Sequence, residues 1–359
     1  MSNDSEGPLG QPVVVRIPVE PVEAAMEADA LDAAVRHESL AVRGPLFGIA
    51  TRCEEDGPRW RVAVPIIHGC PQQARDSLNS LLWFRAKDDA KDVAERRALL
   101  AAVSRLEREY VNELTVLGTR FRVVRAEEYA GMDARGNIEL PRPTDPDPLD
   151  GGWEPGVSDP LDLDLVLDMD APISPLQAAE RLAMRSLAYT GSRFPADVRG
   201  DSARAVETHP DVLLLPASFI VVERSGKKNW RPGGSLHTTA HAARSALYNG
   251  LTWMEPRLLG LIPFDAPGNV DAYSVIAEGT SPVADRLAEF TGAADRLRAG
   301  RLNEVEAHGT TYRIVRSRRL LRWGPEGPEG PRPSDVNTQT PMVMHPPLDE
   351  NGVIQPESE

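Results

Sequence analysis

Apolar and polar residues alternate in two short stretches of this chain that are nearly copies of each other, GTRFRVVR at residues 118–125 and GTTYRIVR at 309–316. Strict alternation predicts a half-buried strand, with Phe121 and Val123, or Tyr312 and Ile314, on one face. The copies are offset by 191 residues, and the same offset recovers a helix ahead of each strand. Leu99, Val103 and Leu106 recur as Phe290, Ala294 and Leu297, each set spaced i, i+4, i+7, so one apolar helical face is written twice. Upstream, IHGCPQQARDSL (67–78) lies over LHTTAHAARSAL (236–247), Trp60 over Trp230 and Trp83 over Trp253. PVEAA (21–25) meets PLQAA (175–179) near the starts, and PRPTD (141–145) meets PRPSD (331–335) at the ends. Matches that keep their order at a domain-sized period predict two sister units.

Checked against each other, the two units read β-α-β-β-α-β-β. VVVRI and LDLVLDM open them as strands, and the prolines of PVEAA and PLQAA suit the first turn of a helix. LAVRGPLFGIATRCEE and WRVAVPII follow as strands, repeated as DVLLLPASFIVVER and a shorter strand from Trp230 after the turn SGKKN. A helix starts near His68 or His237, Ser281-Pro282 announces another as N-cap and first helical residue, and each unit closes on a glycine-containing hairpin. This is the ferredoxin-like split β-α-β order with an added strand. The expected fold is α+β, a tandem duplication of a ferredoxin-like unit, with antiparallel sheets covered by helices or joined as an α+β barrel. The expected divisions are a disordered N-terminus (1–11), a first α+β repeat (12–140), a Pro/Asp-rich linker (141–162), a second repeat (163–324) and a Pro-rich, acidic, disordered tail (325–359).

Composition narrows the function classes. The chain has 359 residues, 41% of them hydrophobic, which is room for two cores. A formal charge of −14 argues against a nucleic-acid partner, whose phosphates need a basic surface. Two cysteines, Cys53 and Cys70, are too few for a disulfide framework, so a reduced, cytoplasmic chain is expected. No run of about 18 apolar residues and no basic-then-apolar leader occurs, so neither a membrane span nor standard export is expected. Lysine accounts for only Lys87, Lys91, Lys227 and Lys228 of the 40 basic residues, so arginine is the default cation here and its abundance does not mark an anion site.

The candidate chemistry centres on the matched helices. His237 and His241 stand i, i+4 in HTTAH, a spacing that lets two imidazoles hold one metal on a helix. Thr238 occupies the place where a zinc hydrolase carries its glutamate, and Gln72 matches His241, so at most the second half has the pair. The alternative for His68 and His237 is a polar cap or strand-end role. Arg75 and Arg244 are placed to clamp a carboxylate or phosphate near a helix start, or else to make salt bridges within the fold. Cys70 is a candidate thiolate or a buried, idle thiol; its match is Thr239. Trp230, with Trp60, Trp83 and Trp253, offers a stacking platform or core packing. No P-loop, dinucleotide turn or nucleophile elbow is present, and no cofactor is required by the sequence.

The pairing of R[FY]R[IV]VR with a trailing GPEGPRPSD resembles an uncharacterised family of actinobacterial proteins known only as a domain of unknown function. The resemblance covers most of the chain and implies soluble bacterial proteins with no assigned activity or catalytic residue. Two sister units without a complete catalytic set favour a non-enzymatic binding or scaffolding protein with an unknown protein or small-molecule partner. The alternative, by analogy of fold, is a haem- or metal-binding enzyme of the paired ferredoxin-like type.

Overall fold

The computed structural model describes residues 11–148, 151–153, 160–226, 229–279 and 282–355. Residues 1–10 of the expected N-terminal arm, the cap Ser281 and the turn lysines Lys227 and Lys228 lie outside the described residues. Among those described, no helix is long and apolar enough to cross a membrane.

The first half runs α1 (Pro21–Arg36), β1 (Ser39–Arg52), β2 (Trp60–His68), α2 (Pro71–Phe84), α3 (Val93–Leu106), β3 (Glu113–Val116) and β4 (Thr119–Met132). The second half opens with β5 (Val166–Leu167), α4 (Pro175–Met184), α5 (Ala196–Thr208), β6 (Asp211–Leu214), β7 (Ser218–Ser225) and β8 (Arg231–Pro232). It continues with α6 (Ala240–Asn249), α7 (Glu255–Leu258), α8 (Ala272–Ala277), α9 (Ala284–Gly300), β9 (Glu304–Ala307), β10 (Thr310–Gly324) and β11 (Gly327–Pro328). α2 and α6 each pass into a π-helical turn, at Arg85–Asp89 and Gly250–Met254.

The repeated strands are the return strands β4 and β10. Each follows a two-residue loop, Leu117-Gly118 or His308-Gly309, in which both residues have positive φ: 50° and 79°, 48° and 68°. That geometry matches the twist of the flanking strands, and glycine takes the second position without a steric penalty. Alternation then sorts the side chains. Phe121 and Val123 point with Phe47 and Ile49 of β1 into a core closed by Leu78 and Leu82 of α2 and by Leu99, Val103 and Leu106 of α3. Tyr312 and Ile314 point with Phe219 into the matching core under α6 and α9, where Phe290, Ala294 and Leu297 are buried. Val124 and Ala126, on the other face of β4, join Leu46, Trp60, Ile66 and Leu321 in a third core.

All named strand pairs are antiparallel and form one open sheet in the order β5-β2-β1-β4-β10-β7-β8. The expected pair of sheets, and the barrel, give way to this single sheet because β10 outlasts its hairpin. Thr310–Ser317 pairs with β7, and the continuation Arg318–Leu321 pairs with Ala126–Tyr129 of β4, joining the halves through main-chain bonds. The opening strands also differ from expectation. VVVRI contributes only a bridge from Val15 to Ile173, and LDLVLDM contributes Val166 and Leu167, which extend β2 of the first half. DVLLLPASFIVVER breaks into β6 and β7 around Pro216, which has no N–H for a ladder. The helix that precedes the second half's strands as α1 precedes β1 is α5; α4, the expected match, packs beside α1 instead.

The C-terminal segment, expected to be disordered, packs on the first half as far as Gly352, and residues 353–355 turn back on 347–349. His345 stacks on Trp83 at 4.6 Å, Trp83 Nε1 donates to the Pro346 carbonyl at 3.0 Å, and Arg96 donates to the Glu350 carbonyl at 2.7 Å. Asp335 meets the buried Arg125 and Leu348 packs against the first half's core, so the segment needs no apolar core of its own.

Gly48 sits where β1 and β2 change register; a Cβ there would lie 2.7 Å from the Val64 carbonyl oxygen and 2.8 Å from Ile66 Cα. Gly48→Ala is expected to lower the unfolding free energy by about 1–3 kcal/mol, read from the urea midpoint at constant slope.

Candidate functional site

The last arginine of each repeated strand makes an ionic contact with a proline-rich stretch, Arg125 buried and Arg316 half-buried. Arg125 of β4 places Nε 2.9 Å from Asp335 Oδ2, and its main-chain N–H donates to the Glu329 carbonyl at 2.9 Å. Arg316 of β10 places Nε 3.1 Å from both oxygens of Asp145, and its N–H donates to the Glu139 carbonyl at 2.8 Å. The two stretches read E-x-P-R-P-[ST]-D, at 139–145 and 329–335. In each, the arginine turns back on the glutamate, at 2.6 Å for Arg142 and Glu139 and 2.7 Å for Arg332 and Glu329, and its amide donates to the aspartate. The prolines remove competing donors and fix φ, so these side-chain bonds define the turn. The stretch after the first half therefore holds a strand of the second, and the stretch after the second half holds a strand of the first. Helices fasten both: Asp29 of α1 accepts from Thr144 N, and Asp201 of α5 accepts from Ser334 N at 2.8 Å.

Further buried charges lie where β4 meets β10. Arg319 is fully buried and donates to both oxygens of Asp162, with Nη2 3.0 Å from Oδ1, and to the Ile66 carbonyl. Glu127 accepts from Arg125, from Arg332 and from the Tyr189 hydroxyl. Burial pushes the Glu127 carboxyl up, but Arg125 and Arg332 outweigh it and hold it below the usual carboxylate range.

Arg75 and Arg244 occupy like positions on α2 and α6, with 2% and 4% of their surface exposed. Each guanidinium binds the asparagine just before a hairpin: Arg75 Nη2 to Asn112 Oδ1 at 2.6 Å, Arg244 Nη2 to Asn303 Oδ1 at 2.7 Å. Arg244 Nη1 then meets both oxygens of Asp147 at 3.0 Å, whereas Arg75 Nη1 meets Asn337 Oδ1 at 3.2 Å and Gln72 Oε1 at 2.9 Å. Burial lowers the Arg75 pKa from its ordinary value. An open cleft of about 330 Å³ exposes this end of α2, lined by Arg75, Tyr110, Asn112, Arg332, Asp335 and Asn337 among others. A neighbouring cleft of about 450 Å³ shares Asn112 and Pro331 and reaches Arg122 and His209.

The other predicted site residues do not converge there. α6 begins at Ala240, so His237 precedes the helix and lies outside the i, i+4 geometry; its main chain bridges Phe219. His241 is buried with Nε2 3.1 Å from the Gly152 carbonyl and its ring edge-on to Trp153. Among the described residues no group of three or more His, Cys, Asp and Glu side chains is gathered as for a metal ion. His68 ends β2 with Nε2 3.2 Å from Ser77 Oγ; burial lowers the pKa of both His68 and His237. Trp230 lies between Arg224 and Arg313, 4.3 and 4.6 Å from its ring centre, as Trp60 lies against Arg52 and Arg122 at 4.9 and 5.0 Å. At the start of α2, burial pushes the Cys70 thiol up, but bonds from the Thr338 hydroxyl and the amides of Gln73 and Gln72 outweigh it and leave it below its ordinary value.

Because the folded Glu127 pKa lies below the unfolded one, its contribution is complete above about pH 4.3 and is lost as pH falls through the folded value. Glu127→Gln is expected to cost about 3–5 kcal/mol at pH 7, with the gap to the parent closing as pH falls below about 4, read from urea midpoints across that range.

A model of a family of unknown function (DUF5954) matches residues 20–338, a span that takes in both E-x-P-R-P-[ST]-D stretches, both strand arginines and the Arg75 cleft. No curated protein and no solved structure matches the chain. The chain belongs to this family of unknown function, DUF5954.

Proposed function

We propose that this is a non-enzymatic, intracellular binding protein whose ligand occupies the cleft between the start of α2 and residues 331–337. The observation that carries this is Arg75, a buried cation at the floor of an open cleft whose hydrogen bonds go to neutral acceptors: Val111 O, Gln72 Oε1, Asn112 Oδ1 and Asn337 Oδ1. A buried cation without a counter-charge is costly unless something else compensates it. The buried Arg125, Arg244, Arg319 and Arg332 have carboxylate partners, whereas Arg181, Arg257 and Arg322, like Arg75, donate to neutral acceptors; of these four only Arg75 lines either of the two clefts, so the cleft is where an added anion can reach such a cation. Cys53 and Cys70 are both free thiols, in keeping with a reducing compartment.

The scaffold for this site, on the same proposal, arose by duplication of one α+β unit. Support comes from the shared element order, the two hairpin turns, the two π-helical turns and the two arginine-flanked tryptophans. The opening strand of a full ferredoxin-like order amounts in the first half to the Val15 bridge, so the repeated unit is better written α-β-β-α-α-β-β.

Native mass spectrometry of the freshly purified chain is expected to find a small molecule bound at one per chain and lost in Arg75→Gln. A chain that carries nothing, and whose melting temperature no member of a metabolite library raises, would contradict a binding role.

A further inference from the structure

The two halves supply an internal comparison for the Arg75 cleft. Arg75 lies on α2, which follows β2, and Arg244 on α6, which follows β8; each is buried, and each binds an asparagine one residue ahead of a hairpin. Each also receives a residue two places beyond the aspartate of an E-x-P-R-P-[ST]-D stretch. For Arg244 that residue is Asp147, with both oxygens 3.0 Å from Nη1 and one of them also 3.0 Å from Arg301 Nη2. For Arg75 it is Asn337, an amide of the same shape without the charge. Among the described residues no carboxylate lies within 4.0 Å of the Arg75 guanidinium nitrogens.

Nearby acids do not make up the difference. Asp335, in the same cleft, is taken by Arg125; Glu329 is taken by Arg332; Glu127 is shared between Arg125 and Arg332. Cys70, at the start of α2, has its sulfur engaged by Thr338 and the helix amides; Cys70, Tyr110 and Asp76 act to raise the Arg75 pKa, but burial outweighs them. Asp76 on the same helix accepts from Gln72 Nε2 at 2.7 Å. A guanidinium has five N–H donors, and Arg75 directs one to Val111 O, one each to Gln72 and Asn337, and one to Asn112, which leaves one on Nη2. The Tyr110 ring, 5.5 Å from the guanidinium carbon, lines the cleft together with Asn112 and Asn337.

We propose that this cleft binds a small oxyanion, a carboxylate or a phosphate, which supplies to Arg75 the charge that Asp147 supplies to Arg244, and that Asn337 is the residue that reserves the site for it. This rests on the binding role proposed above and names the ligand's chemical class. The side chain at 337 decides the matter, because an aspartate there closes the site from within while leaving the turn and its main-chain bonds unchanged.

The test is isothermal titration calorimetry and thermal unfolding of the full chain with potassium phosphate and, separately, sodium acetate, at fixed ionic strength set with sodium chloride. The parent is expected to bind one of the two saturably with one site. Asn337→Asp is expected to weaken that binding at least tenfold and to raise the melting temperature in the absence of added anion. Arg75→Gln should also abolish binding. Saturation by phosphate alone identifies a phosphate site, and by acetate alone a carboxylate site. Equal anion response in the parent and Asn337→Asp, or no saturable response to either anion, overturns the proposal. A neutral molecule found by native mass spectrometry in that second case would keep the binding role and discard only the oxyanion.

Discussion

The fold depends on one reciprocal contact. Arg125 of the first half is held by the aspartate of a proline-rich stretch that follows the second half, and Arg316 of the second half is held by the aspartate of a like stretch that follows the first. Each stretch adds a main-chain acceptor to the strand it visits, at the Glu329 and Glu139 carbonyls, so contact and register are fixed together. Burying a charge is unfavourable unless its partner arrives with it, and removing one member of a buried pair costs about 3–5 kcal/mol. The exchange thus makes each half incomplete without chain contributed from beyond the other.

The single sheet follows from the same constraint. Once residues 139–145 have crossed to β10 and residues 329–335 to β4, the two return strands lie side by side, and Arg318–Leu321 completes the ladder to Ala126–Tyr129. Arg319 and Asp162 neutralise each other at the buried side of that junction, and Glu127 gathers Arg125 and Arg332. The Arg75 cleft is formed by the same crossing, since Arg332, Asp335 and Asn337 line it only because the stretch lies against α2. The candidate site is therefore a product of the exchange as well as of the helix that carries its arginine.

Much of the local structure was legible from periodicity. The alternating strands, the i, i+4, i+7 faces and the glycine turns depend on nearest neighbours, and Phe121, Val123, Leu99 and Phe290 are buried where the pattern puts them. The partners of those elements were not legible. PRPTD and PRPSD were visible as a match, but proline and acid content signals solvation unless a covered cation awaits it, and nothing local marks Arg125 as buried or Arg316 as half-buried in a chain whose usual cation is arginine. The same limit applied to HTTAH, where the spacing of His237 and His241 suits a helix that in fact starts three residues after His237. Arg75 and Arg244 were legible as a pair. What separates them, Asn337 against Asp147, lies 262 and 97 residues away along the chain and needed the fold to bring it close.

The reciprocal contact is tested most directly by amide hydrogen exchange on the full chain carrying Asp335→Asn or Asp145→Asn. Crossed effects are expected: Asp335→Asn should speed exchange across Phe121–Glu127 of the first half and spare Tyr312–Arg318. Asp145→Asn should do the reverse. Loosening confined in each case to the half that precedes the mutated stretch, or no change in either strand, would contradict it.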